Sequence, residues 1–555
     1  MKIVLAALNA KYTHINLAIR YLRQKAKEYK FDTHICEFTI NDNISNIIRE
    51  LYSEKADVYG FSVYIWNTEM ICKISKELKK LLPDSMIFFG GPESSNNSKF
   101  YLDNYYCDYV LKGDGEGVII PFLSDRNNQN IPGVCGKDFD NGFAPTVDFS
   151  QIPYPFEEGE IEKLSGRLIY YETSRGCPYR CAYCLSGNDR KVNALPKEQA
   201  LSNLLKLNDS GAGIIKLVDR TFNFDRERAR YIWKGLIDAK VKSSYHFEIC
   251  AELLEEEDFQ ILKDAPENIF LFEIGIQSTN EKTLKEVNRN NNLDKLLNNI
   301  KRLRDETKVH LHIDLIAGLP FEDYTSFKKS FNDVYPLSEE LQMGFLKVLY
   351  GSAMKEKADK EGYLYQSFPP YEVMATPWLS FDEMIKLKMI EETLERYSNS
   401  GHFSASLEFV FSDNKDYFGF FERFSLFLEE KNSLFSAVSK KREFTLLLEY
   451  IEKVFPKEKF EIFKEVLRFD FTRNFKGEHQ IFEYKYPENY KELIYSFLSV
   501  EENIIKYIPW AKDEKLKNIT KFIDIHVFKF YKNKIFIFDR KSDKIIEITN
   551  DFKLD

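Results

Sequence analysis

Across residues 2–124 the apolar positions fall into short continuous runs, separated by longer segments with helical spacing. The runs Ile3–Leu8, Thr33–Phe38, Val58–Val63, Met86–Phe89 and Tyr109–Leu111 predict strands. Between them, Asn16–Lys27, Ile44–Leu51, Glu69–Leu82 and Lys99–Tyr105 predict helices. Strict alternation of the two implies right-handed crossovers and a doubly wound, Rossmann-like parallel sheet. Glycine follows two of the strands, as Gly90-Gly91-Pro92 and as Gly113-Asp114-Gly115-Glu116-Gly117. Open sheets bind ligands outside the carboxyl ends of their strands, and glycine there admits backbone that a Cβ would hold away.

An Asn/Gly/Pro-rich stretch from about Arg126 to Gly166 reads as a linker, after which alternation resumes. Leu168–Glu172, Ile214–Val218, Tyr245–Ile249, Phe270–Ile276, Val309–Ile316 and Leu341–Leu349 predict six further strands. All but the last are followed by a helical segment, the pattern of a partial (β/α)6 barrel. From about Ala375 helical patterns rich in Phe, Leu and Glu take over. The tail Phe522–Val527, Lys534–Phe538 and Ile545–Ile548, with turns near Tyr531-Lys532-Asn533 and Lys541-Ser542-Asp543, predicts a small antiparallel meander. The domains implied are 1–125, a linker 126–165, 166–375 and 376–555.

Composition narrows the class. The 555 residues carry 78 basic and 87 acidic side chains, a net charge of −9, and are 44% hydrophobic. That is globular rather than disordered, and it disfavours bulk binding of nucleic acid. Arg180 and the run Lys440-Lys441-Arg442 read as solvated charge. Eight cysteines are too few for a secreted disulfide scaffold, and no apolar stretch of about 18 residues predicts a membrane span. A soluble cytoplasmic protein is the expectation.

Three of those cysteines, Cys177, Cys181 and Cys184, follow a predicted barrel strand with the spacing C-x-x-x-C-x-x-C. A disulfide reading fails on the odd number. A structural zinc site needs a fourth ligand from afar, His246 or Cys250. Three thiolates in one tight loop suit a 4Fe–4S cluster with one iron left open. Glu248 and Glu273 alternate with apolar neighbours and so point into the barrel, as functional carboxylates or as half of an internal salt bridge. His310 and His312 share a strand face, and His312 reads as packed or substrate-facing rather than metal-binding.

The segment Glu172-Thr-Ser-Arg-Gly-Cys-Pro-Tyr-Arg-Cys-Ala-Tyr-Cys184 closely resembles the signature loop of the radical S-adenosylmethionine superfamily. The resemblance implies a 4Fe–4S cluster on the three cysteines. It further implies reductive cleavage of S-adenosylmethionine to methionine and a 5′-deoxyadenosyl radical, fed by a flavodoxin- or ferredoxin-type electron donor. It places Tyr183, Asp219, Gln277, Ser278, Asp314 and Gly318 near that cofactor. A doubly wound domain ahead of such a barrel resembles the cobalamin-binding domain of cobalamin-dependent radical enzymes, in the subgroup with a carboxyl-terminal domain of unknown function. Through that likeness Asn9, His14, Ser62, Tyr64, Trp66, Gly90, Gly91, Pro92, Gly113, Gly115 and Glu116 are implied to face cobalamin, with Ser62, Tyr64 and Trp66 alternating on one strand end. The D-x-H-x-x-G motif of many cobalamin domains is absent, which leaves the lower face of cobalt unassigned.

The implied reaction is methylation of an unactivated carbon of a small-molecule or peptide substrate, with Glu248, Glu273 and His312 as substrate-facing candidates. One rival is a radical methylthiotransferase acting on RNA, whose second cluster would need Cys36, Cys72 and Cys107 to converge; their placement predicts that they do not. Another is a non-catalytic cobalamin or redox sensor.

Overall fold

Each apolar run of the first 125 residues forms a strand: β1 (Lys2–Asn9), β2 (Asp32–Thr39), β3 (Val58–Ser62), β4 (Met86–Gly90) and β5 (Tyr109–Leu111). They pair in parallel in the order β2-β1-β3-β4-β5. Helices cover both faces. Val4, Ala6 and Leu8 pack with Ile71, Ile74 and Leu78 on one side, and Ile3, Leu5 and Ala7 with Val118, Ile119 and Phe122 on the other. Strand order reverses between β1 and β3, the crevice where such sheets bind ligands. Two short antiparallel strands, β6 (Val134–Gly136) and β7 (Phe139–Asp140), extend the sheet within the stretch read as a linker. Their apolar runs are too short to show a period. The computed structural model describes residues 1–125, 128–188, 191–476, 481–482, 486, 488–529 and 533–553; Arg126 and the turn residues Tyr531 and Lys532 lie outside them.

The barrel strands β8 (Leu168–Tyr171), β11 (Ile214–Leu217), β12 (Ser244–Glu248), β13 (Phe270–Gln277), β14 (His310–Ala317) and β15 (Glu340–Phe345) lie side by side in chain order, all parallel. A two-residue ribbon, β9 (Ser174–Arg175) with β10 (Asn193–Ala194), brackets the cysteine loop. A second ribbon joins β16 (Leu364–Tyr365) and β17 (Val373–Ala375). Burial alternates along β14: Leu311, Ile313 and Leu315 are sealed under the helices, and His310, His312 and Asp314 form a polar inner row.

The chain divides into two compact units, 1–384 and 385–555. The second is helical and ends in the meander β18 (Ile523–Phe528), β19 (Lys534–Asp539) and β20 (Lys544–Glu547), whose core includes Tyr490, Phe497, Ile504, Ile525 and Ile537. Its Lys440 and Arg442 are paired with Glu443 (3.1 Å) and Glu449 (2.8 Å), in keeping with solvated charge. Among the described residues no helix is long and apolar enough to cross a membrane.

Candidate functional site

The first loop of the amino-terminal sheet hydrogen-bonds directly to the barrel: Leu168 N donates to Thr13 O (2.7 Å), making a parallel bridge beside His14. At this junction lies a cavity of about 720 Å³. Asn9, His14, Ser62, Tyr64, Trp66, Gly90, Gly91, Pro92, Gly113, Gly115 and Glu116 all line it. From the barrel come Tyr170, Glu172, Ser174, Arg175, Val218 and Arg220. The strand-end loops of two layers therefore share one space.

Amide side chains hold the sheet's end in shape. Asn9 Nδ2 donates to His14 O and Glu37 Oε1 (3.1 Å each). Asn16 caps the helix Leu17–Glu28 by accepting from Ile19 N and donates to Ser62 Oγ (3.2 Å), tying the start of that helix to the end of β3. Asn67 accepts from Tyr64 N (2.8 Å) and donates to Leu8 O and Ser62 O (3.0 Å each). That residue corrects one expectation. Strand β3 ends at Ser62, and Asn67 folds residues 64–67 into a turn, so Tyr64 and Trp66 do not alternate on a strand. Their rings instead stack at 4.3 Å and 9° on the cavity wall. The glycines divide as well. A Cβ on Gly91 (φ +109°) would stand 2.6 Å from Val63 O, and one on Gly113 (φ +94°) 3.0 Å from Ala144 N, so the chain's own turns require them. Gly90 meets only Leu111 O at 3.9 Å, and its missing side chain is what opens space. His14 Nδ1 lies 3.4 Å from Tyr170 Oη; burial lowers its pKa, helped by Lys11 and Lys216.

Arg175 joins the cysteine loop to the sheet. Its guanidinium reaches both Glu116 oxygens (2.7 and 3.1 Å), Glu172 (2.6 and 2.9 Å) and Asp114 (3.5 Å). Burial opposes its charge, but Glu172 and Glu116 outweigh that and raise its pKa. Asp219 is completely buried and accepts from Thr173 N (2.8 Å), Thr173 Oγ1 (2.6 Å) and Ser174 Oγ (2.6 Å). Its carboxylate anchors the start of the loop, and it is the flanking Val218 and Arg220 that line the cavity.

Cys177, Cys181 and Cys184 are all free thiols. Burial pushes the Cys177 thiol up, Thr221 (3.5 Å) draws it down, and Cys184 and Cys181 add to the rise. Arg289 was invisible to pattern reading, because it sits in the polar run Asn288-Arg289-Asn290 between two helices. Its Nη1 approaches Cys181 Sγ (3.5 Å) and Tyr183 Oη (3.4 Å), and its Nη2 donates to Gly275 O. Neither distant zinc ligand joins this group: Cys250 accepts from Tyr179 Oη (3.3 Å), and His246 sits in the barrel lumen beside Glu273.

At the end of β13 a bulge against β14 leaves Gln277 at φ +71°, with Oε1 buried and without a hydrogen bond. A strained non-glycine residue with an orphan acceptor is a site feature that sequence pattern does not carry. Ser278 is buried and accepts from Asn280 N (2.9 Å). Gly318, φ +92°, follows β14. Asp314 lies within β14 rather than at its end, because the strand runs on to Ala317; burial and then Glu273 raise its pKa to about 7, against His312. In the lumen Glu273 Oε2 meets Lys216 Nζ (2.7 Å) and His246 Nε2 (2.8 Å). Burial opposes its ionisation, yet these partners hold it down to about 2. Burial raises Glu248, opposed by Arg220.

Cys36 sits on β2 at one edge of the sheet and packs against the apolar core that buries Cys72, Cys107 and Cys135. All three therefore border one core, with β1, β3 and β4 between the strand of Cys36 and β5, which Cys107 precedes. Burial raises Cys36 to about 11 and Cys72 to about 12, as befits structural thiols.

Three family models match in succession: the B12 binding domain over residues 3–120, the radical SAM superfamily over 171–334, and a protein of unknown function, DUF4080, over 359–546. The cobalamin-dependent radical SAM methyltransferase TokK of Streptomyces tokunonensis is 24% identical over 369 residues, 61% of this chain and 54% of TokK. A tRNA-2-methylthio-N(6)-dimethylallyladenosine synthase of Shewanella sediminis is 22% identical over 283 residues, 48% of this chain and 56% of the synthase. The chain thus spans about half the length of the curated relatives it matches. In fold it is similar to the cobalamin-dependent S-adenosylmethionine radical enzyme OxsB (TM-score 0.60, 16% identity, 84% of this chain and 78% of that one). It is also similar to the radical S-adenosylmethionine methyltransferase TsrM from Kitasatospora setae (TM-score 0.56, 15% identity, 66% and 77%). One chain thus carries, in order, regions that match the B12 binding domain, the radical SAM superfamily and DUF4080, the domain content of cobalamin-binding radical SAM enzymes with a carboxyl-terminal region of unknown function.

Proposed function

We propose that this chain is a cobalamin-dependent radical S-adenosylmethionine enzyme that methylates an unactivated carbon of a small-molecule or peptide substrate. The observation that carries the reading is the shared cavity, where the loops implied to face cobalamin and the loop bearing Cys177, Cys181 and Cys184 meet and are bridged by Arg175 and Glu116. The chemistry of the donors fits the groups: three free thiols in one loop suit an iron–sulfur cluster, and the Tyr64–Trp66 stack gives the cavity a flat aromatic wall. When bound, the cluster supplies the electron for sulfonium cleavage and the corrinoid carries the methyl group.

The protein's part is placement. Asp219, Thr173 and Ser174 fix where the cysteine loop leaves β8. Arg289 sets Cys181 and Tyr183 against Gly275. Gln277 presents its unpaired Oε1 at the barrel's open end. An electron donor of flavodoxin or ferredoxin type is proposed with this activity. The methylthiotransferase reading finds less support, because β1, β3 and β4 lie between β2, which carries Cys36, and β5, which Cys107 precedes.

Anaerobic reconstitution with iron, sulfide and hydroxocobalamin tests the assignment. About four irons and one corrinoid per chain are expected, and Cys177→Ala should lose the iron while keeping the corrinoid. About eight irons without corrinoid would overturn it in favour of a two-cluster enzyme.

A further inference from the structure

Below the cavity, the barrel lumen holds a polar cluster that includes two of the substrate-facing candidates, Glu273 and His312. His246 on β12, Glu273 on β13 and His312 on β14 occupy neighbouring strands, and one ligand atom from each lies within 4.8 Å of the other two. Two observations separate this group from an ordinary ion-pair network. His312 Nε2 lies 2.9 Å from Glu340 Oε2, which places a proton on that nitrogen, and its buried Nδ1 makes no hydrogen bond. A carboxylate behind an imidazole is how proteins orient a histidine ligand toward a metal. His246 is buried, and its Nε2 lies 2.8 Å from Glu273 Oε2, at ion-pair distance but out of line for a hydrogen bond.

The donor chemistry points the same way. Two imidazoles and one carboxylate make a borderline donor set of the kind that takes zinc or ferrous iron and leaves a position open. Metal–ligand distances of about 2.0–2.2 Å require the three donors to draw in by roughly an ångström, a movement within reach of side-chain torsions.

We propose that His246, Glu273 and His312 form a divalent-metal site, of zinc type, that clamps β12, β13 and β14 together beneath the reaction cavity. Lys216, 2.7 Å from Glu273, is the cation the metal competes with.

The test uses the full chain already loaded with cluster and corrinoid, so that the cysteine loop is occupied, and reads bound zinc rather than turnover. After equilibration with zinc chloride and dialysis, elemental analysis should find one zinc per chain. Zinc-edge X-ray absorption should show nitrogen and oxygen neighbours only. His312→Gln and His246→Gln should each weaken zinc at least about tenfold. Lys216→Met removes a like charge and should tighten it at least about threefold. A misfolded variant loses zinc whatever its substitution, so the opposite signs separate the site from general damage. Absence of zinc in the wild type, equal retention in both histidine variants, loss of zinc in Lys216→Met, or sulfur scattering at about 2.3 Å would each overturn the site. None of these readouts depends on adenosylmethionine cleavage, so the site stands or falls separately from the proposed reaction.

Discussion

Glu322 is sealed from water near the end of β14, with Oε1 accepting from Ser330 Oγ (3.1 Å) and Oε2 without a hydrogen bond. Burial lifts its pKa from 4.5 to about 7, while Ser278 and Ser330 pull it back. The folded state therefore keeps a proton that the unfolded chain releases above about pH 4.5. The stability this confers is whole below that pH and lost as pH rises through 7. Glu322→Gln should match the wild type in melting temperature at pH 4.5 and exceed it at pH 8; parallel curves at both pH values would contradict the account. Gly91 makes a second residue-scale prediction. Gly91→Ala combines a left-handed φ with a contact 2.6 Å from Val63 O and should cost about 1–3 kcal/mol in denaturant unfolding. At this scale the sequence was uneven. Cysteine spacing named its residues directly and the family resemblance named Gln277, whereas the bulge that strains Gln277 and the long-range contact of Arg289 are encoded in no local pattern.

The cysteine loop is the element on which the site turns. It is held at one end by Asp219 and Arg228 and at the other by Ala182 N donating to Val287 O (2.9 Å), with Arg175 between. Arg175→Met would leave Glu116 and Glu172 buried without their cation. Breaking a buried pair in this way costs about 3–5 kcal/mol, so both the unfolding midpoint and the iron retained after reconstitution should fall. Iron at wild-type level would show that the loop is held without Arg175. Elements whose apolar runs repeat were legible in advance: the parallel strands of both sheets and the meander lie within a residue or two of their predicted ends, except that β15 stops at Phe345. The ribbons β9–β10 and β16–β17 and the strands β6 and β7 were not, because two or three residues hold no period.

For the whole molecule, alternation was enough to read a doubly wound sheet followed by a parallel barrel, because right-handed crossovers leave few other arrangements. It did not show that the two sets of strand-end loops would enclose one cavity. That depends on the Thr13–Leu168 hydrogen bond and the Arg175–Glu116 pair, which link residues far apart in sequence. The unit 385–555 carries no such site among its described residues, and its Phe- and Leu-rich helices build a core of their own. The central claim is that the shared cavity serves both cleavage of adenosylmethionine and methyl transfer. Its most direct test is chromatography with mass detection of adenosylmethionine products, formed anaerobically by protein loaded with cluster and methylcobalamin under a strong reductant. The account predicts 5′-deoxyadenosine together with S-adenosylhomocysteine, and neither from Cys177→Ala. 5′-Deoxyadenosine without S-adenosylhomocysteine would contradict methyl transfer, and neither product above the Cys177→Ala level would contradict the account as a whole.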